Sequence, residues 1–328
     1  GGGIGNNSTG AHSVRYGITV EYVESVRAVL ADGTVAEFGE VVVGSDEWDR
    51  LTEEGGRVAE LHEAVLDIVE SHDAEIAERY PDIQRNVSGY SLDAVASETA
   101  DGERTLNLAK LFVGAEGTLG VVVEAELSLV TVPEETAVAL YCYEDLLDAM
   151  RAVPAALDHD ASAVELMDDE VFRMARESAE FAQYAAPIPD DAGAALMLEF
   201  DSELHDDLTA AVDAADDTFL RGTGDEGAER GRAFDVLHAF DTAGQRDLWK
   251  LRKAAIPLLM SLEGDAKPYP FIEDASVPPE TLAEYVEEFE QVLDDHGTSA
   301  AYFAHAGAGT LHIRPILSLK ETAGIETM

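Results

Sequence analysis

Cysteine is all but absent, Cys142 being the only one in 328 residues. A single thiol excludes an internal disulfide, a cysteine-ligated zinc site and a self-contained iron–sulfur cluster, and it fits a reducing compartment. Lysine is almost as scarce. Lys110, Lys250, Lys253, Lys267 and Lys320 are the whole complement, and Lys plus Arg reach 21 against 67 Asp plus Glu, a formal net charge of −46. Such a field repels phosphate backbones and anionic lipid surfaces, so nucleic acid is excluded as a partner. No run approaches the roughly 18 apolar residues of a membrane-spanning helix, and no secretory n-region and h-region opens the sequence. No transmembrane segment is expected. The expectation is a cytoplasmic protein, with peripheral attachment at the inner face of a membrane left open.

What is present suits a folded enzyme. At 46% hydrophobic content the chain can bury real cores, as two domains or one large one. The acids are interleaved with apolar residues at helical spacing: in residues 58–80, Val58, Leu61, Val65, Ile68, Val69 and Ile76 share a predicted helix face. This acid excess is similar to that of proteins from salt-accumulating halophiles, where screening falls to roughly 3 Å at 1 M salt. A haloarchaeal source and a need for molar salt are expected.

Along the chain, residues 23–43 read as a hairpin turning at Asp32-Gly33, residues 46–80 as an acidic helix ended by Pro81, and residues 84–90 as a loop. A glycine-spaced turn follows within 107–133, with one long strand closed by Pro133, where the domain boundary is predicted. Beyond it, strands near 136–143, 194–200, 269–274, 300–305 and 311–317 alternate with helices at 144–157, 168–185, 203–217, 243–262 and 279–295, an α+β pattern.

Chemistry concentrates in four places. "GGGIGNNSTGAH" (1–12) is not a Rossmann turn, because neither glycine start completes G-x-G-x-x-G. Its backbone N–H groups, with Asn6, Asn7, Ser8 and Thr9, could instead form an anion-binding concavity, the plain alternative being a Gly/Ser tail. In "GAEGTLG", Gly114, Gly117 and Gly120 frame Glu116 and Thr118 on a turn that a large planar ligand could approach. In "FAHAGAGTLHIRP" (303–315), glycines forbid a helix, so His305 and His312 should sit on strands flanking a six-residue connection and could converge on one ion. Two structural histidines are the alternative. "RDLWKLRK" (246–253) reverses the local charge, and Arg252 falls on the apolar side between Leu248 and Ile256. A guanidinium there suits a carboxylate, with Lys267 second; a solvated helix face is the alternative.

Four segments, in order, carry a resemblance: residues 1–17, "SGY" (88–90), "LFVGAEGTLGVVVEAELSLVTVPE" (111–134) and residues 303–315. Together they resemble FAD-linked oxidases of the vanillyl-alcohol oxidase/PCMH superfamily, in the branch of glycolate oxidase flavoprotein subunits and D-lactate and D-2-hydroxyglutarate dehydrogenases. The resemblance implies the C-terminal part of a PCMH-type FAD-binding domain (1–133), then a ferredoxin-like α+β substrate domain (134–328). It implies a fragment truncated at both ends, since the family's first Gly-rich turn and C-terminal end are missing from the sequence. FAD contacts are implied for Gly2, Gly3, Gly5, Asn6, Asn7, Ser8, Gly10, Ala11, His12, Tyr16, Gly17, Gly114, Glu116, Gly117, Thr118 and Gly120. Tyr90 either faces the flavin or fills the core. A divalent metal (Zn, Mn or Fe) is implied at His305 and His312, with Glu273 and Asp274 as stand-ins for a further ligand. Trp249 and Arg252 match a family W-x-x-R motif near the substrate. The implied reaction is oxidation of a D-2-hydroxy acid to the 2-oxo acid, Arg252 and Lys267 holding a small organic acid, with a histidine or metal-bound water as base and an iron–sulfur module or quinone as electron acceptor. Alternatives are a synthase of the same superfamily, similar to alkylglycerone-phosphate synthase, and a non-catalytic acidic scaffold.

Overall fold

The computed structural model describes residues 2–220 and 232–328. It divides into two units, the first comprising residues 1–10 and 17–131, the second residues 11–16 and 132–328. Gly1 of the first motif lies outside the described residues.

The first unit is built on two antiparallel sheets. Strands β1 (Val23–Val29), β2 (Val35–Phe38) and β6 (Val121–Leu127) pair in the order β2-β1-β6, and β3 (Glu40–Val42), β4 (Ala96–Glu98) and β5 (Arg104–Asn107) in the order β3-β5-β4. The predicted hairpin turns where expected. Gly33 takes φ +85°, a region open to glycine, and the Asp32 carboxylate accepts the Thr34 N–H at 2.9 Å. The hairpin ends at Phe38, however, and β3 crosses to the second sheet. The predicted helix over 46–80 is two helices, Asp46–Glu54 and Gly56–Arg79, parted by Gly55 and Gly56 at φ +63° and +83°. The second helix buries Val65 and Val69 and packs Val58, Leu61 and Ile76 against Val23, Val26 and Phe38. Ile68 departs from the predicted face: it is 43% exposed, at the margin of the stripe set by Val58, Val65, Val69 and Ile76. Strand β6 closes at Leu127, short of Pro133.

The second unit holds an eight-stranded antiparallel sheet. Its strands are β7 (Thr136–Tyr143), β8 (Ala163–Asp168), β9 (Ala194–Asp201), β10 (Asp235–Ala239), β11 (Lys267–Pro268), β12 (Ile272–Ser276), β13 (Ala300–His305) and β14 (Thr310–Leu317). They run in the order β10-β7-β9-β8-β13-β14-β11, with β12 also on β14. Helices cover both faces, so β7, β8 and β9 are buried from end to end and lack the polar alternation of a one-sided sheet. Tyr141, Leu166, Leu196 and Leu198 point to one face, where Val153, Val212 and Val286 of flanking helices pack. Leu140, Met167, Met197 and Phe303 point to the other, against Leu248, Leu251 and Leu258 of the helix Thr242–Met260. Three strands escaped the sequence pattern. β8 hides in "SAVELMD", a short mixed run without alternation, β10 is a five-residue edge, and β11 is a two-residue strand just ahead of the strand predicted near 269–274, which falls at β12. The predicted helices over 144–157 and 168–185 are each split, into Leu146–Arg151 and Val153–Leu157, and into Asp169–Glu177 and Ala182–Ala185. Asp168 caps the third of these pieces through the Val171 N–H at 3.1 Å and also accepts the Tyr302 N–H at 2.5 Å.

Candidate functional site

In the first unit, three of the four motif segments meet. The glycine run is not plain loop: Gly2–Gly5 forms one helical turn, closed by the Asn6 N–H on the Gly2 carbonyl at 2.9 Å. The Gly114 and Glu116 N–H groups bond the carbonyls of Ile4 (3.0 Å) and Gly5 (2.9 Å), tying the "GAEGTLG" turn to the run. Gly114 stands at φ +81°, and a Cβ there would lie 2.7 Å from the Gly89 carbonyl, so this crossing admits glycine alone. Tyr90 reaches the same turn through its hydroxyl, 2.9 Å from Thr118 Oγ1. Gly120 serves packing: a Cβ would meet the Val29 carbonyl at 2.8 Å on β1.

The residues present fit a nucleotide-sized ligand. Asn7 is 1% exposed and strained at φ +49°; its Oδ1 accepts the Val20 N–H at 2.9 Å, but its Nδ2 is buried without a partner, as is Thr9 Oγ1. A buried donor with no acceptor costs about 1–3 kcal/mol, a cost that an incoming acceptor removes. Side chains added at Gly2, Gly3 and Gly117 would meet open space, and an apolar cavity of about 500 Å³, lined in part by Phe38, Leu108, Phe112 and Leu119, shares Thr118. Of the other residues expected at the cofactor, Gly5, Asn6, Ser8, Gly10 and Gly17 belong to this unit, whereas Ala11, His12 and Tyr16 belong to the second.

In the second unit the chemistry lies on one face of the sheet. Side chains two residues apart on a strand share a face. Glu165 on β8, Glu199 on β9, Phe303 and His305 on β13, and His312 and Arg314 on β14 therefore look toward the helix carrying Trp249 and Arg252; Phe303 sits directly across from His312 and Ala301 from Arg314. Glu165 is the centre. Its carboxylate, 1% exposed, lies 2.7 Å from an Arg252 guanidinium nitrogen and 2.8 and 3.1 Å from His305 Nδ1. Burial works to raise its pKa, but Arg252, His305 and His312 outweigh that and hold the carboxyl below the usual glutamate range. Arg252 also donates to the Ala304 carbonyl at 3.3 Å, and its Nε is buried without a partner.

A second carboxylate repeats the arrangement. Glu273 pairs with Arg314 and stands 2.6 Å from His312 Nδ1. The two imidazoles meet edge to face, 5.1 Å between centroids, and Arg252 and Arg314 both lie over Phe303, at 5.1 and 5.4 Å. A third pair completes the face. Glu199 accepts from Trp249 Nε1 at 2.7 Å and lies 2.7 Å from His12 Nε2; the hydrogen bond to Glu199 is the main cause that raises the His12 pKa.

The structure thus places His305, His312 and Arg252 on one face around Glu165. The connection between the two histidine strands is shorter than predicted, residues 306–309, with Gly309 at φ +65° against the Val277 carbonyl. Lys267 stands apart from these contacts, on edge strand β11, donating to the Leu262 carbonyl. Glu165 and Glu199 were missed. Their one signal was a single acid inside an otherwise apolar run, easily lost among 67 acids. For a metal, both histidines turn Nδ1 to a carboxylate, the usual support behind a ligating imidazole. Among the described residues no group of three His, Cys, Asp or Glu side chains gathers to hold an ion. Among the described residues the donor set is the two histidines, short of the three or four protein ligands of a resident metal, and Glu273, an expected stand-in ligand, is engaged with Arg314 and His312.

A family model described as FAD linked oxidases, C-terminal domain, matches residues 132–328. The chain belongs to this FAD-linked oxidase family. It is 33% identical over 326 residues to D-2-hydroxyglutarate dehydrogenase of Pantoea ananatis (strain AJ13355), covering 97% of this chain and 31% of that protein. It is 31% identical to D-2-hydroxyglutarate dehydrogenase of Escherichia coli (strain K12), with the same coverage, and 26% identical to D-lactate dehydrogenase of Anaerostipes hadrus, covering 95% and 52%. This oxidase-family chain spans about a third of the length of the D-2-hydroxyglutarate dehydrogenases it matches. In fold it is similar to alkyldihydroxyacetonephosphate synthase (TM-score 0.53, 13% identity, 96% of this chain and 50% of that one). It is also similar to p-cresol methylhydroxylase with substrate bound (TM-score 0.54, 12% identity, 99% and 56%). The mixed α and β architecture expected from the sequence is the one found. Among the described residues no helix is long and apolar enough to cross a membrane.

Proposed function

We propose that this chain takes part in the FAD-dependent oxidation of a D-2-hydroxy acid to its 2-oxo acid, with D-2-hydroxyglutarate the first substrate to test. The observation that carries this reading is the cluster on one face of the second unit: buried Arg252 against the Glu165 carboxylate, with His305 on the same carboxylate and His312 at its edge. Relatives at 26–33% identity carry names of D-2-hydroxyglutarate and D-lactate dehydrogenases, which supports the same chemistry.

When bound, FAD supplies the two-electron acceptor for the hydride that leaves C2; Gly2, Gly3, Asn7, Thr9, Gly114, Glu116 and Thr118 are the residues of the first unit placed to hold it. The other parts fall to side chains of the second unit. Arg252 supplies a fixed, permanently charged donor for the substrate carboxylate, its buried Nε still lacking an acceptor; Lys267, the second cation expected from the sequence, is engaged with the Leu262 carbonyl instead. His305 takes the hydroxyl proton at Nε2 while the C2–H bond breaks and the C2=O bond forms, so two electrons leave with the hydride and one proton stays on the imidazole. Electrons then pass to an iron–sulfur or quinone acceptor outside the described residues.

The test is anaerobic. A flavin-loaded preparation of the parent protein mixed with D-2-hydroxyglutarate or D-lactate should lose its visible flavin absorbance, and the L-enantiomers should leave it oxidised. A flavin that neither D-acid reduces overturns the reading and favours a synthase or a non-catalytic role.

A further inference from the structure

The chain enters the second unit early and leaves it again. Residues 1–10 and 17–131 fold as the first unit, yet the six residues between them, 11–16, fold as part of the second. The excursion is closed at its neck. Asn7 Oδ1 accepts the Val20 N–H at 2.9 Å and the Thr19 hydroxyl donates to the Ser8 carbonyl, so residues 9–18 leave and return at one place, the form of an Ω-loop. Its tip is held by charge and by packing. His12 Nε2 lies 2.7 Å from Glu199; Arg15 Nε lies 3.1 Å from the buried Asp201, and a second Arg15 nitrogen lies 2.9 Å from Glu203. Val14 packs on the connection between β13 and β14: a Cβ added at Gly307 would lie 3.0 Å from Val14 Cγ2 and 3.0 Å from Val164 Cβ.

We infer that residues 9–18 are a strap that couples the cofactor-holding run to the β13–β14 connection: an acceptor taken up by Asn7 at the neck tightens Val14 on Gly307 at the tip. This inference rests on the proposed place of FAD in the first unit. Asn7 is the joint. Its Nδ2 is buried without a partner, and its Oδ1 ties the neck. The two atoms belong to one planar amide, so an acceptor on Nδ2 fixes the plane in which Oδ1 receives the Val20 N–H. At the tip, Arg15 is the one cation paired with Asp201 among the described residues. An unseated tip leaves that buried carboxylate without its counter-charge, so half-seated arrangements are disfavoured and the strap has two discrete states. Residues 306–309 in turn join the strands that carry His305 and His312. Coupling of this kind is reciprocal: whatever seats the tip also favours binding at the neck.

Hydrogen exchange reads the coupling without turnover. In the parent protein, returning FAD to the flavin-free form should slow amide exchange at residues 306–309 roughly 10-fold or more, with helix Leu208–Phe219 unchanged as the internal reference. Arg15→Gln should abolish that slowing and raise the FAD dissociation constant roughly 10-fold, while Arg15→Lys, which keeps the charge, should restore part of both. Exchange at 306–309 that ignores FAD in the unsubstituted protein overturns the inference. So does an Arg15→Gln protein that keeps the full slowing. Should Arg15→Gln not fold, Val14→Ala leaves the ion pairs in place and removes the side chain over Gly307; it should cut the FAD-induced slowing, and an undiminished slowing overturns the coupling. A parent protein that takes up no FAD ends the cofactor reading and leaves the strap to be decided on the flavin-free chain. There, Asn7→Ala should speed exchange at 306–309 several-fold, and an unchanged rate shows that neck and tip are not linked.

Discussion

Two carboxylates of the second unit do the same thing in different surroundings. Glu165 and Glu273 each bridge an arginine and the Nδ1 of a histidine, and the two histidines touch. Glu165 lies inside the sheet at 1% exposure, whereas Glu273 lies on edge strand β12 at 37%. Their pKa values move in opposite directions. Charged neighbours overcome burial at Glu165 and keep it ionised; at Glu273 burial, together with Asp274, outweighs Arg314 and raises it. The difference teaches that one pattern of residues can make a rigid anchor or an adjustable one. What decides is whether water can take over when a partner moves.

Four measurements can sharpen or break that comparison. The broadest uses salt. With a net charge of −46, the melting temperature should climb steeply from low to molar KCl, and within that climb the stability lost on replacing Glu273 should shrink while the loss at Glu165 persists, because a buried pair is screened little. A flat melting profile would contradict the halophile reading, and equal salt responses would erase the contrast between the two carboxylates. Next, Glu165→Ala leaves Arg252 as a buried unpaired charge and should cost about 3–5 kcal/mol in denaturant titration, against about 1 kcal/mol for Glu273→Ala. A larger loss at Glu273 would reverse the assignment of anchor.

Arg252→Lys keeps the charge but not the planar fork. It should raise KM for the hydroxy acid roughly 10- to 100-fold, the equivalent of about 1.5–3 kcal/mol in charged hydrogen bonding. An unchanged KM would move the carboxylate site elsewhere. The smallest effects are in the pH dependence of stability, where the two acids have opposite signs. The lowered carboxyl of Glu165 contributes stability above its unfolded pKa of about 4.5 and loses it as pH falls through its folded value. The raised carboxyl of Glu273 binds protons more readily folded than unfolded, so its contribution falls as pH rises from about 4.5 through its folded value. Glu165→Gln should flatten the acid limb of a stability–pH curve and Glu273→Gln the limb just above it. Slopes of the same sign would show that the two environments are alike.

Much of this was legible in the sequence, for identifiable reasons. The Asp32-Gly33 turn, strand Thr136–Tyr143 and helix Thr242–Met260 carry local signals: a turn dipeptide, an apolar run of strand length, an apolar face at helical spacing. Residues that act through separation along one strand pair, such as His305 and His312, were equally readable. β8 was not, because its apolar run, Ala163–Asp168, is short and broken by Glu165, so it shows neither alternation nor an unbroken apolar stretch, and with β8 went Glu165. His12 was read with the glycine run because it is adjacent in sequence, yet its segment, residues 11–16, belongs to the second unit, on Glu199.

Composition and local pattern by themselves determined an acid-rich α+β protein with a glycine-lined cradle, two histidines on neighbouring strands and a cation on an apolar helix face, since each of these depends on residues close together in the chain. Only the tertiary structure decided that Glu165 and Glu199, among 67 acids, face those groups, because selecting them depends on strand order and register, which join residues up to 187 positions apart. Pairing of that kind is set by the burial of whole sheet faces, a long-range energy that no short window of sequence contains.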